Sequence, residues 1–155
     1  MISILKKFPL LKIKPKTAQA LLTIGTAAGL AAINYTIIHN PIVFVFVMSL
    51  FLHEFGHYLT ARKYGANADL PYFIPLFPFN IGITRIRNLK DKHIPAVAIA
   101  GPMFASIFLL FFIMFNSIYR LFPFTPLLLM LAFEIIFNYF GSDGKKYRKY
   151  NFQQV

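Results

Sequence analysis

The chain has 155 residues, 57% of them hydrophobic, and a mean hydropathy of +0.61, so it reads as a membrane protein with no room for a second folded domain. It has no cysteine, which excludes a disulfide framework and a thiolate metal site. The net charge of +11 is gathered in a few stretches beside apolar runs, a distribution that suits anionic lipid and argues against a nucleic-acid role.

Residues 1–17 mix Lys6, Lys7, Lys12, Lys14 and Lys16 with Ile2, Ile4, Leu5, Phe8, Leu10, Leu11 and Ile13, interrupted by Pro9 and Pro15. This composition predicts a basic cytoplasmic segment lying at the lipid interface. The rival reading is a signal peptide, because basic residues precede small ones at Ala27-Ala28 and Ala31-Ala32, but the apolar run continues past them.

Four apolar runs are long enough to cross ~30 Å of hydrocarbon, which takes about 20 residues. They are Ala18–His39, Ile42–Ala61, Ile94–Ile118 and Leu121–Phe140. The first carries Gly25-Thr26-Ala27-Ala28-Gly29, a spacing that lets helices approach closely, and His39-Asn40-Pro41 makes a tight turn into the second. His39 reads as a solvated turn residue. Arg62, Lys63, Arg85, Arg87, Lys90 and Lys92 lie between the second and third runs, and Lys145, Lys146, Arg148 and Lys149 follow the fourth. Only Arg120 falls among the opposite connections. The asymmetry predicts a multi-pass protein of the cell membrane with both termini and the long loop cytoplasmic. The organisation is then a basic interfacial segment (1–17), an intramembrane core (18–144) and a basic tail (145–155).

Inside the second run stands His53-Glu54-Phe55-Gly56-His57. Positions four apart share one helix face, so His53 and His57 can each offer an imidazole nitrogen to one metal ion. Zinc suits such a pair, taking nitrogen at ~2.0–2.1 Å in tetrahedral geometry. Glu54 beside them has the place of a general base towards metal-bound water. A carboxylate within a membrane run costs ~2.5–3.5 kcal/mol on insertion scales, and such residues mark functional sites.

The loop that follows contains Leu70-Pro71-Tyr72-Phe73-Ile74-Pro75-Leu76-Phe77-Pro78-Phe79-Asn80-Ile81-Gly82-Ile83, as apolar as a span yet too short to cross twice. Its three prolines exclude a regular helix. Irregular backbone at membrane depth survives where protein or water satisfies it, so this stretch reads as a re-entrant hairpin over the site, able to offer a strand edge to an extended peptide. An interfacial loop without substrate contact is the plainer reading. His93 reads as a solvated loop residue. The fold class expected is an all-α membrane protein of about four transmembrane helices, with this proline-rich hairpin between the second and third.

The third run carries Gly101-Pro102, where proline removes a donor and bends a helix. In the fourth, Glu134 and Asn138 share a face, and Asp143 follows in Gly141-Ser142-Asp143-Gly144. Glu134 and Asp143 are both candidates for a third metal ligand. His57 lies five residues before Arg62 and so ~7–8 Å inside the boundary, whereas Glu134, eleven residues before Lys145, lies ~16 Å deep and Asp143 is shallow. Depth gives Asp143 a modest edge, and the flanking glycines let the chain bend towards the metal.

These pieces together resemble the site-2 protease family of intramembrane zinc metalloproteases, over roughly Ile42 to Gly144. His53-Glu54-Phe55-Gly56-His57-Tyr58 fits its metal motif, Pro71-Tyr72-Phe73-Ile74-Pro75 with Gly82 looks like its re-entrant segment, and Ala100-Gly101-Pro102 like its third-helix motif. Phe137-Asn138 followed by Asp143-Gly144 looks like its final motif. The chain departs from the pattern in its short Tyr-Phe-Gly-Ser linker, in Lys145 after Asp-Gly, and in Ala105 where many members carry asparagine. The resemblance implies Zn²⁺ held by His53, His57 and Asp143, Glu54 as catalytic base, Asn138 as a candidate oxyanion contact, and a membrane-embedded peptide or single-span protein as substrate. Other readings of the same residues are a catalytically weak relative that binds or sequesters a membrane peptide, and a small metal-ion transporter. Neither needs Glu54 beside the ligands.

Overall fold

The structure, a computed structural model, describes residues 16–75 and 80–151. The expectations for residues 1–15, for 76–79 in the proline-rich loop and for 152–155 lie outside the described residues. Most of the described chain is helical: α1 (Lys16–Ile38), α2 (Ile42–Lys63), α3 (Ile94–Tyr119), α4 (Phe124–Phe140) and α5 (Ser142–Asn151). Helices α1, α2 and α3 are each long and apolar enough to cross a membrane. Between α2 and α3 lie four short strands, β1 (Asn67–Ala68), β2 (Tyr72–Ile74), β3 (Ile81–Ile83) and β4 (Ile86–Arg87), then a 3-10 turn at Asp91–His93.

The fourth apolar run is divided. Arg120 adopts the left-handed conformation at φ 51° and its N–H closes α3 on the Asn116 carbonyl at 2.8 Å. The fully buried Asn116 side chain then accepts from the Phe122 N–H at 2.8 Å and donates to the Phe122 carbonyl at 2.9 Å. This turn consumes Leu121 to Pro123, so α4 begins at Phe124 and has 17 residues, about 25 Å of helix. At its other end Gly141 is extended, and the chain restarts at once as α5, where the sequence suggested only an exit from the bilayer.

Helix α2 is the central element. Half of its most apolar window is buried, against 17% for α1 and 33% for α3, and it packs on α1, α3, β1 and β3. Apolar on every side, it has the pattern of an enclosed helix. Ile42 and Val45 meet Leu109 and Leu127 of α3 and α4, Val47 meets Leu30 and Phe73, and Ala61 meets Ala66 and Val97. Large side chains such as Leu21, Ile24, Phe111, Met114 and Ile118 stand exposed, as lipid-facing residues would.

The loop read as irregular holds two antiparallel pairs. β1 pairs with β4, and β2 pairs with β3 in the register Tyr72↔Ile83, Phe73↔Gly82 and Ile74↔Ile81. One edge of β2 is taken by α1. The Thr23 hydroxyl donates to the Pro71 carbonyl at 2.5 Å, Thr26 Oγ1 accepts from the Phe73 N–H at 3.1 Å, and Gln19 Oε1 accepts from the Leu70 N–H at 3.3 Å. Gln19, Thr23 and Thr26 fall on one helical face, so α1 supplies the polar partners that this backbone would otherwise lack in an apolar setting. Because the Phe73 N–H points out towards Thr26, antiparallel alternation directs the N–H and C=O of its partner Gly82 to the other outer edge.

Candidate metal centre

His53 and His57 sit one turn apart on α2, only 7% and 8% exposed. Each ring is anchored through Nδ1. His57 Nδ1 lies 2.7 Å from the carbonyl oxygen of Val97 in α3, and His53 Nδ1 lies 2.6 Å from Glu134 Oε1 in α4. A carbonyl oxygen only accepts, so His57 carries its proton on Nδ1 and turns an Nε2 lone pair inward; the Glu134 carboxylate selects the same tautomer in His53.

The two Nε2 atoms are 3.2 Å apart. Asp143 Oδ2 lies 3.4 Å from one and 3.3 Å from the other. Ligand atoms at ~2.0–2.1 Å from a tetrahedral zinc are separated by roughly 3.3–3.4 Å, so the triangle has the dimensions that this ion requires. Three lone pairs facing one another at such distances repel unless a cation or shared protons lie among them. The donor set, two imidazoles and a carboxylate with no thiolate, fits zinc.

Asp143 reaches the site from a separate helix. The break at Gly141 puts it in the first turn of α5, where the helix dipole favours a carboxylate, and α5 packs against both α3 and α4. Lys146 Nζ lies 3.6 Å from Asp143 Oδ1, leaving Oδ2 to the histidines.

Glu54 is adjacent but not part of the triangle. Its Oε2 accepts a hydrogen bond of 2.7 Å from Thr84 Oγ1, which also lies 3.1 Å from the Glu54 carbonyl oxygen. Thr84 follows β3 directly, so the proline-rich loop is fastened to the residue with the place of a base.

Three glycines make this packing possible. A Cβ on Gly82 would lie 2.8 Å from both Cδ and Oε1 of Glu54. One on Gly101 would lie 2.6 Å from Cε1 of His57, and one on Gly56 2.7 Å from the Ala100 carbonyl oxygen. The sequence suggested a bend at Gly101-Pro102. Helix α3 runs through Pro102, and Gly101 also makes room for an imidazole.

Of the residues singled out in the sequence, His53, His57 and Asp143 come together, with Glu54 on the same helix face region and Glu134 behind His53. Asn138 does not join them through its amide, which donates to the Glu134 carbonyl of its own helix at 2.6 Å. His39 is an exposed turn residue. His93 differs from expectation: half-buried at the start of α3, it stacks on Tyr64 at 4.1 Å with an interplanar angle of 9°. Neither Thr84 nor the Val97 carbonyl was legible beforehand, since neither belongs to a recognisable ligand pattern.

Comparison with known proteins adds one partial likeness. The chain is 36% identical over 67 residues to the probable zinc metalloprotease EGY2 of Arabidopsis thaliana, described as chloroplastic. The likeness is to a metalloprotease. It covers 41% of this chain and 12% of that relative, so the chain spans only a small part of the relative's length. No family model and no solved structure matches.

Proposed function

We propose that the chain is an intramembrane zinc metalloprotease that hydrolyses peptide bonds of transmembrane or membrane-associated peptides. The observation that carries this reading is the triangle of His53 Nε2, His57 Nε2 and Asp143 Oδ2, sized for zinc, with Glu54 beside it and outside the ligand set. Zinc held by these three atoms would supply Lewis acidity, bringing the pKa of water towards ~7 and polarising a carbonyl.

The remaining work falls to the chain's own residues. Glu54 takes a proton from the attacking water and returns it to the leaving amine. The Thr84 hydroxyl orients the carboxylate, and the Val97 carbonyl and Glu134 keep each histidine in its ligating tautomer. A transmembrane substrate hides its peptide groups in helical hydrogen bonds and must unwind to be attacked. With α1 occupying one edge of β2, the outward N–H and C=O of Gly82 on β3 are the backbone groups next to Glu54 that an unwound segment can pair with. In this reading α4 is a fourth span, the loop is re-entrant, both termini are cytoplasmic, and the site opens near the cytoplasmic face. Asn138 gives one N–H of its amide to the Glu134 carbonyl, so an oxyanion would be served by the second N–H of the same group.

Incubating detergent-purified protein with single-span peptides, with and without chelator, tests the proposal. Cleavage should require metal and Glu54, and Glu54→Gln should bind zinc at parental stoichiometry while losing turnover. Full cleavage by that variant, or activity indifferent to chelation, would sink the hydrolase reading in favour of binding or transport.

A further inference from the structure

A groove of about 440 Å³ lies between the C-terminal end of α2 and the N-terminal end of α3. Its walls are apolar, formed by Leu59, Ile99, Met103 and Phe104, and Lys63 and Tyr64 stand at one end. None of His53, Glu54, His57, Glu134 or Asp143 lines it.

The groove has two chemistries in a definite order. Along α3 its lining runs from Ala96 to Phe104, about 12 Å of helix, through side chains that stand partly exposed on an apolar surface, Ile99 at 46% and Met103 at 47%. At its head is an ammonium group. No ion pair among the described residues involves Lys63, and Arg62 adds a second positive charge at the same helix end. Tyr64, held by its stack on His93, fixes the rim. A cation at the boundary of an apolar band, over a furrow leading into that band, complements an anionic headgroup carrying a hydrocarbon chain.

We propose that this groove binds one anionic phospholipid, its phosphate on Lys63 and an acyl chain against Ile99, Met103 and Phe104. The site adjoins the metal centre through consecutive residues of α3. Ala100 lines the groove and its carbonyl abuts Gly56, whereas Gly101 abuts the His57 ring. An occupied groove therefore braces the α2–α3 spacing on which the histidine geometry depends. The inference rests on the membrane placement of α2 and α3 and is independent of proteolysis.

Native mass spectrometry of protein purified from mixed phosphatidylglycerol and phosphatidylcholine bilayers tests it without any cleavage assay. The parent should retain one phosphatidylglycerol in preference to phosphatidylcholine. Lys63→Gln should lower that retention about fivefold. Lys92→Gln, with the same change in charge outside the groove, should leave it within about twofold. Met103→Trp should lower retention by filling the furrow at constant charge. Equal losses in Lys63→Gln and Lys92→Gln would reduce the effect to diffuse surface attraction and overturn the site. So would a photoreactive residue at position 103 that captures an added single-span peptide and no lipid.

Discussion

The carboxylate of Glu134 meets Nδ1 of His53 at 2.6 Å, on the edge of the ring away from the nitrogen that faces Asp143. Two acids thus address one imidazole, and only one of them faces the second histidine as well. In the proposed centre Glu134 would orient a ligand and Asp143 would be the ligand.

Zinc titration should separate these roles. Losing an orienting partner typically lowers metal affinity 10–100-fold, so Glu134→Gln should weaken zinc binding by about that factor while keeping parental stoichiometry. Asp143→Ala should bring stoichiometry close to zero at micromolar zinc. Metal lost only in the Glu134 variant would exchange the assignments.

The glycines that line the site predict two different failures. In Gly82→Ala the new methyl meets Cγ, Cδ and Oε1 of Glu54, so the whole carboxylate must shift, but no atom of the His53–His57–Asp143 group is met and the zinc content should survive. A base displaced by about 1 Å should cost roughly 100-fold in kcat/KM. In Gly101→Ala the methyl meets the His57 ring, anchored at Nδ1 by the Val97 carbonyl, so zinc affinity itself should fall. Equal zinc affinity in parent and Gly101→Ala would show that the ring has room to move.

The threonines of α1 give a prediction remote from the metal. Thr23→Val with Thr26→Val keeps side-chain shape but strands the Pro71 carbonyl and the Phe73 N–H, at a cost of about 1–3 kcal/mol for each buried group. Amide exchange at Phe73 should accelerate and peptide cleavage should drop, with zinc binding unchanged. An unaltered exchange rate would mean that β2 keeps its place without α1.

Orientation follows from the charge asymmetry. A reporter fused after Val155 should be active in the cytosol and silent outside, because the basic residues flanking α2, α3 and α4 fall on one set of connections. Activity confined to the outer side would invert the topology.

The histidine face of α2 was legible because a four-residue spacing is a local property of a helix, and Glu134 and Asp143 were legible as the two acids that could approach it. The boundary arithmetic measured depth along a helix, and the flanking glycines were read as a place for the chain to bend; the break at Gly141 lets Asp143 lie against Nε2 while Glu134 lies against Nδ1. The proline-rich stretch was read as a hairpin with a strand edge, but the bounds of β1 to β4 were hidden because two- and three-residue strands carry no alternation long enough to detect, and the contacts of β2 with the α1 hydroxyls and of Thr84 with Glu54 join residues far apart in sequence. Gly101 was noticed only as the neighbour of a proline, since a sequence does not reveal which side chain comes to rest against it.

The interruption at Gly141 would also give a bound ion a mechanical task. Its nitrogen donors stand on α2 and its oxygen donor on α5, so a bound metal ties the far end of the chain to the central helix as a rivet joins two plates. By mass action such a tie stabilises the joined state in proportion to how far the ion exceeds its dissociation constant. Chelation should therefore be felt first in the short, polar α5, whose lysines would become open to trypsin, while α1 to α3 remain packed. In the proposed centre Asp143 belongs to a short, polar helix with little apolar surface to hold it in place, so metal occupancy and the docking of that helix would become a single equilibrium.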